Sequence, residues 1–431
     1  MKVEGLKYDF DKIVNRRGTN CYKYDEMPND DTIALWVADM DFETAPCISE
    51  ALKKRMEHGC FGYTMVPDVF YQSTINWFAR RHGWHDIKRE WFIYTSGVVP
   101  AVSAIIKAVT EPGDKVLVQT PAYNCFFSSI RNNGCEIVEA PLSYATSTQG
   151  DGTTDYATRH YYFIDYDKFE TLCSDPKVKA FLLCNPHNPS GRVWSAEELR
   201  KMGEICERHG VFVIADEIHC EFVNRDIERD GYLAEYIKEE HPAYHPFMTA
   251  SSAPCAVCVS PSKAFNIAGL QIANIIIKDD SIRRRVDRAI NINEVCDVNP
   301  FGVIALQAAY TEEGAEWLNM LNDYIYANYV FARDFITEHI PQWQVTQLEG
   351  TYLMWVRISP TSSDDSSMPS DELCDYLLNN ANVYINPGTM YDHSEEGKHF
   401  IRINLATQRA RLKEGLERVS KAMLCELEVR N

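Results

Sequence analysis

Lys179-Ala-Phe-Leu-Leu-Cys184, then Ser195-Ala-Glu-Glu198 opening a polar-apolar stretch that closes at Gly210, then Val211-Phe-Val-Ile-Ala215: this run decides the fold. Apart from Lys179 at the start, the two outer segments are apolar throughout, and a strand needs that only when both of its faces are covered. Between them, a serine followed three residues later by a glutamate forms a capping box, which opens a helix. A glycine suits the left-handed residue that ends one. Strand, helix and strand in this order predict a parallel pair joined by a helical crossover.

The same alternation extends from about residue 50 to 290. Trp91-Phe-Ile-Tyr-Thr95, Lys115-Val-Leu-Val-Gln119, Ala256-Val-Cys-Val259 and Ile272-Ala-Asn-Ile-Ile-Ile277 read as further strands, and Pro100 to Val109 as a helix. The expected fold class is therefore α/β, a mostly parallel sheet between helices. With 431 residues the chain is long enough for two domains. We expect an N-terminal segment, residues 1–50, that joins the smaller domain and a dimer contact. A large domain over 51–290 and a small α+β domain over 291–431 follow. In the latter, Gly350-Thr-Tyr-Leu-Met-Trp-Val-Arg357 reads as a strand, Ser359 to Ser370 as a polar surface loop, and about 408 to 427 as a closing helix. Tyr144 to Arg159, rich in Thr, Ser, Gly and Asp, reads as a surface insertion.

Composition narrows the partners. The formal charge of -19 disfavours nucleic acid and anionic membrane, which both need basic patches. No apolar run approaches the ~20 residues of a membrane helix. The N-terminus lacks the apolar core of a signal peptide, so a cytoplasmic location is expected. Fourteen scattered cysteines then read as free thiols. Cys255-Ala-Val-Cys258 has no second pair to complete a metal site, and inside a strand its two sulfurs point to different faces. No metal is expected.

Ligands of open α/β sheets bind beyond the carboxyl ends of the strands, and five such ends here carry polar or glycine-rich chemistry. Ser96-Gly97-Val98-Val99-Pro100 is a strand-to-helix turn whose free amides can hold phosphate, with proline expected at the first helical position. Thr120-Pro-Ala-Tyr123 puts an aromatic at the mouth, able to stack on a planar ligand or simply to pack in the core. Cys184-Asn-Pro-His-Asn-Pro-Ser-Gly191 is a rigid turn that aims an amide. Ala215-Asp-Glu-Ile-His219 follows a buried strand with a carboxylate, which is costly to desolvate unless it meets a cation. Last comes Ser260-Pro-Ser-Lys-Ala-Phe-Asn-Ile-Ala-Gly-Leu270, where Ser260 and Ser262 can donate to phosphate oxygens and Lys263 stands at the strand end.

Taken together with Arg402-Ile-Asn-Leu405, these motifs resemble the class I/II aminotransferase superfamily of fold-type I pyridoxal phosphate enzymes, in order and over nearly the whole chain. The resemblance implies a seven-stranded sheet, pyridoxal 5'-phosphate as cofactor and an amino acid as substrate. It implies that Lys263 forms a Schiff base with the cofactor and serves as the catalytic base. Asp216 would pair with the pyridinium nitrogen, Asn188 would bond the ring hydroxyl, and Tyr123 would stack on the ring beside the reacting centre. Gly97, Val98, Val99, Ser260 and Ser262 would cradle the phosphate, and Arg402 would grip the substrate carboxylate. Tyr63, in Phe61-Gly-Tyr-Thr64, looks like the tyrosine that reaches the phosphate of a neighbouring subunit, which implies a homodimer with a shared site.

Within the superfamily, Leu35-Trp-Val-Ala-Asp-Met-Asp-Phe42 and Asp216-Glu-Ile-His-Cys220 resemble the MalY/PatB-type cystathionine β-lyases. Many aminotransferases carry arginine where this chain has Gln271, and a ring-bonding tyrosine where it has His219. Both departures point to β-elimination, with Asp39 near the entrance helping to choose the substrate. An aminotransferase remains the alternative, and a regulatory interaction a possible addition.

Overall fold

Seven strands form the central sheet of the computed structural model, which describes residues 7–148, 158–227, 229, 237–292, 294, 297–359 and 368–430. In chain order they are β1 (Phe92–Thr95), β2 (Lys115–Thr120), β3 (Glu136–Pro141), β4 (Val178–Cys184), β5 (Phe212–Asp216), β6 (Cys255–Val259) and β7 (Ala273–Ile276). They lie side by side as β1-β7-β6-β5-β4-β2-β3. Only β7 runs antiparallel to its neighbours; the other pairings are parallel. All the strand ends singled out above therefore open on one edge of the sheet.

Alternation along each strand feeds two cores. Val116, Val118, Leu182, Ile214 and Cys258 pack on one face, while Leu117, Phe181, Leu183, Val213 and Cys255 pack on the other. The sulfurs of Cys255 and Cys258 thus belong to opposite faces, as strand geometry requires. Each fully buried Leu, Val or Phe contributes about 1.5–3 kcal/mol relative to exposure, which is why β4 from Ala180 on, and β5 up to Asp216, carry no polar side chain. The crossover helix between them, Ala196–His209, carries the expected caps. Ser195 Oγ accepts from Glu198 N at 3.1 Å and Glu198 Oε2 accepts from Ser195 N at 2.9 Å. Gly210 closes it at φ 67°.

A second sheet is antiparallel, with β8 (Gln344–Val345), β9 (Leu353–Arg357), β10 (Asn386–Pro387) and β11 (Phe400–Asn404) in the order β8-β9-β11-β10. Two long helices, Glu312–His339 and Arg409–Arg430, accompany it. The N-terminal segment joins this unit through Ile33–Ala34, which pairs in parallel with Val383–Tyr384. Among the described residues no helix is long and apolar enough to cross a membrane.

Several local expectations need correction. Pro100 is the third helical residue, because the helix Val98–Val109 starts directly after Gly97. Asp216 ends β5 rather than following it. The described ends of the expected insertion are sheet: Ser143–Thr148 pairs antiparallel with Thr158–Phe163, and residues 149–157 lie outside the described residues. The expected strand from Gly350 begins only at Leu353. Ser370 opens the helix Ser370–Ala381, while residues 360–367 of the expected polar loop lie outside the described residues.

Candidate active site

The carboxyl ends of β1, β4, β5 and β6, with the turn after β2, surround a cavity of about 190 Å³. Gly97, Val98, Val99, Tyr123, Asn188, Asp216, His219, Ser262 and Lys263 all line it. These residues span more than 160 positions of the chain and meet because each stands at a strand end or in the turn that follows one. The first amides of the helix Val98–Val109 open into the cavity wall. Such amides have no intrahelical acceptor and favour an anion.

Lys263 Nζ donates to Ala38 O at 2.6 Å. Burial, against the pull of Asp39 and Asp216 and with the help of Arg402, lowers its pKa to about 8. An amine in that range is partly neutral near physiological pH, as a nucleophile or base must be. Asp216 is 4 % exposed and its Oδ1 accepts from Ile218 N at 3.1 Å. Burial pushes its pKa up to about 6, against the pull of the Ile218 amide and Lys263. A carboxylate so buried is restored to its charged form by a cation placed beside it. Burial, followed by the neighbouring Lys263 and Arg402, drives the His219 pKa well below its usual value, so its imidazole is neutral.

Arg402, on β11, reaches across to the large sheet. Nη1 donates to Asn188 Oδ1 at 3.1 Å and Nη2 to Trp36 O at 2.9 Å, and the guanidinium lies 4.5 Å from the Tyr391 ring centroid. Its Nε is buried without a partner, and so is Nδ1 of His219. Buried polar atoms left unsatisfied cost about 1–3 kcal/mol each, so both call for a ligand. Helix amides for a phosphate, a buried carboxylate for a ring cation, a low-pKa amine for an aldehyde and an open guanidinium edge for a carboxylate fit pyridoxal 5'-phosphate and an amino acid.

Four expected residues do not line the cavity: Arg402, which meets it through Asn188, and Ser260, Asp39 and Tyr63. Ser260 does not line the cavity: its hydroxyl donates to Ile272 O at 2.5 Å and accepts from Ser262 N at 3.0 Å, which ties the lysine turn together. Asp39 has its carboxylate held by Arg16 at 2.6 and 3.1 Å. Tyr63 is 97 % exposed and outside the cavity wall. Gln271 is exposed at a left-handed turn, φ 52°.

Sequence reasoning missed four contributors. Ala38 acts through its carbonyl, a role no side-chain motif announces. Cys184 lines the cavity and pairs in register with Asp216. Lys23, with no exposed surface, lies 3.1 Å from the equally buried Asp41. Tyr352, also fully buried, donates to Ala38 O at 2.9 Å. Away from the cavity, His82, Cys220 and Glu221 bring possible metal ligands within 4.8 Å of one another, but Glu221 already accepts from Trp77, Arg81 and His82.

Comparison with known proteins fits this geometry. The family model for aminotransferase class I and II matches residues 30–419. The chain is 37% identical over 419 residues to cystathionine beta-lyase PatB of Bacillus subtilis, covering 96% of this chain and 100% of that protein. It is 34% identical to protein MalY of Escherichia coli, covering 95% of this chain and 97% of MalY. The PLP-bound C-S lyase of Staphylococcus hominis, complexed with L-cycloserine, superimposes with a TM-score of 0.82 at 32% identity, covering 97% and 99% of the two chains. The chain belongs to the class I and II aminotransferase family, whose cofactor is pyridoxal 5'-phosphate.

Proposed function

We propose that this protein is a carbon-sulfur β-lyase that cleaves L-cystathionine or related cysteine S-conjugates to a thiol, pyruvate and ammonia. The observation that supports the site is the meeting of Lys263, Asp216 and Asn188 on one cavity, with Arg402 bonded to Asn188 at its wall and carrying a buried Nε that has no partner. Lyase rather than transaminase is supported by the near full-length likeness to a cystathionine beta-lyase, and by Gln271 and His219.

Bound pyridoxal 5'-phosphate supplies an aldehyde and a pyridinium ring that accepts an electron pair. The Val98 and Val99 amides, with Ser262, would hold its phosphate; Asp216 would keep the ring nitrogen protonated, Asn188 would bond the ring hydroxyl and Tyr123 would stack on the ring. Arg402 grips the substrate carboxylate through Nε and the adjoining amino group, fixing which Cα bond faces Lys263. Lys263, as a free amine, would take the substrate's Cα proton on Nζ. The Cβ–S bond then breaks with both electrons leaving on sulfur, and Nζ holds the proton that the departing thiolate needs. One water enters overall, so cystathionine gives homocysteine, pyruvate and ammonia.

The working unit is a homodimer in this proposal. Met56, Phe61, Tyr63, Met65 and Val69 are all more than half exposed in the single chain. A partner covering them would bring Tyr63 to its phosphate. The enzyme is proposed to be cytoplasmic, supported by thirteen free cysteines among the described residues. Residues 1–50 are assigned to the small domain on the strength of the Ile33–Ala34 pairing.

Purified protein with added pyridoxal phosphate and L-cystathionine should release pyruvate and free thiol in equal amounts with no ketoacid present. Amino-group transfer only after a ketoacid is supplied, with no pyruvate released, would make the protein an aminotransferase instead.

A further inference from the structure

The Ala38 carbonyl is the acceptor for Lys263, and it has a second donor. Tyr352 Oη donates to the same oxygen at 2.9 Å, against 2.6 Å for Lys263 Nζ. A carbonyl oxygen offers two lone pairs, so the phenol and the amine together saturate it.

The carbonyl cannot swing away from them. Asn404 Nδ2 holds the neighbouring carbonyls of Val37 at 2.6 Å and Asp39 at 2.7 Å. Asn266 accepts from Met40 N at 3.0 Å and donates to Met40 O and Phe42 O at 2.9 Å each. Tyr352 is equally fixed. Gly350 before it has no room for a Cβ, which would meet Val193 Cγ2 at 2.6 Å and Phe222 O at 2.8 Å. Thr351 adopts φ 69°, a left-handed conformation that is costly for a β-branched residue. The Tyr352 ring then packs edge-on against Phe222, centroids 4.9 Å apart, and against His219 at 5.8 Å. Strained backbone that delivers a buried hydroxyl to the resting place of a reactive amine points to function rather than to packing alone.

We infer that Tyr352 is a positioning residue for Lys263: by occupying half of the Ala38 carbonyl, its hydroxyl fixes where the free amine rests and limits how well the charged amine is held. The inference rests on the reading of Lys263 as the cofactor-binding amine. The other charged or titratable groups around Nζ are Asp39, Asp216, Arg402 and Cys125, with neutral His219 on the Tyr352 side. Burial keeps the Tyr352 phenol protonated over the whole range in which Lys263 titrates. The phenol is therefore a constant competitor for the carbonyl. Without it, the ammonium form gains an undivided acceptor and the neutral form becomes scarcer.

The test uses the full-length chain freed of cofactor. The rate at which pyridoxal phosphate is captured, as a bond to lysine trapped by borohydride reduction, is measured against pH for wild type and Tyr352→Phe. Capture needs the neutral amine, so Tyr352→Phe should move the midpoint to higher pH. At neutral pH it should slow capture about threefold, the equivalent of about half a pKa unit. Phe222→Leu loosens the same ring cluster without touching the hydroxyl and should leave the midpoint in place. An unchanged or lowered midpoint in folded Tyr352→Phe, or an equal shift in Phe222→Leu, would overturn the inference. Lys263→Ala separates the two readings: if it still traps the cofactor as wild type does, the assignment of Lys263 is what fails.

Discussion

The turn that carries Lys263 and the strap that faces it, residues 35–42, meet through Lys263 and Asn266 but are built in opposite ways. The turn closes on itself. Ser260 and Ser262 bond each other, Phe265 N donates to Pro261 O, and Ile267 N donates to Ser262 O. The strap is pinned mainly from far along the chain, by Asn266, Tyr352, Asn386, Arg402, Asn404 and Gln408. Its nearer anchor is a buried charge cluster. Asp41, wholly buried, meets Lys23 at 3.1 Å, Arg16 at 3.0 Å and Arg411 at 3.5 Å, and accepts from Tyr24 Oη at 2.8 Å. The local turn supplies the reactive group, and the long-range strap supplies the surface that calibrates it. Changing the strap should therefore alter stability and the behaviour of Lys263 without removing the chemistry.

The largest effect that would sharpen this contrast is expected from Asp41→Ala. It leaves Lys23 and Arg16 without their innermost carboxylate, and breaking a buried ion network from one side costs about 3–5 kcal/mol. Urea unfolding should show that loss, and a change below about 1 kcal/mol would mean that the strap is anchored elsewhere. A smaller effect is expected from acid. Burial alone would raise the Asp41 pKa, but Lys23, Arg411, the Thr407 hydroxyl and Arg16 together hold it below its ordinary value. A carboxylate depressed in the folded state contributes stability that is fully present above its unfolded pKa of about 3.9 and lost as pH falls through the folded value. The stability gap between wild type and Asp41→Asn should accordingly shrink as pH drops below about 4. A gap that stays constant down to acid unfolding would show that the cluster does not hold Asp41 ionised.

The same contrast explains what could be read in advance. β4 and β5 announce themselves through apolar runs; Asp216 stands at the end of β5, and Asn188 and Lys263 stand in the turns after β4 and β6. Their placement follows from a few neighbours. Lys23 reads as an ordinary surface lysine, yet it is buried against Asp41, eighteen residues on. Ser260 reads as a phosphate donor from type and position, but the Ile272 carbonyl twelve residues on claims its hydroxyl. Tyr352 looks like one more strand aromatic until Gly350 and Thr351 turn it aside before β9. For Lys23 and Ser260 the deciding partner lies well along the chain, and for Tyr352 the acceptor it reaches, Ala38, is more than 300 residues away.

The most direct test of the central claim is a comparison of wild type with Lys263→Ala, both supplied with pyridoxal phosphate and L-cystathionine. The account predicts that the variant folds, forms no lysine-cofactor absorbance and releases neither pyruvate nor thiol. A variant that still produced pyruvate at a rate near wild type would show that the chemistry lies elsewhere and that the strand-end cavity is not the active centre.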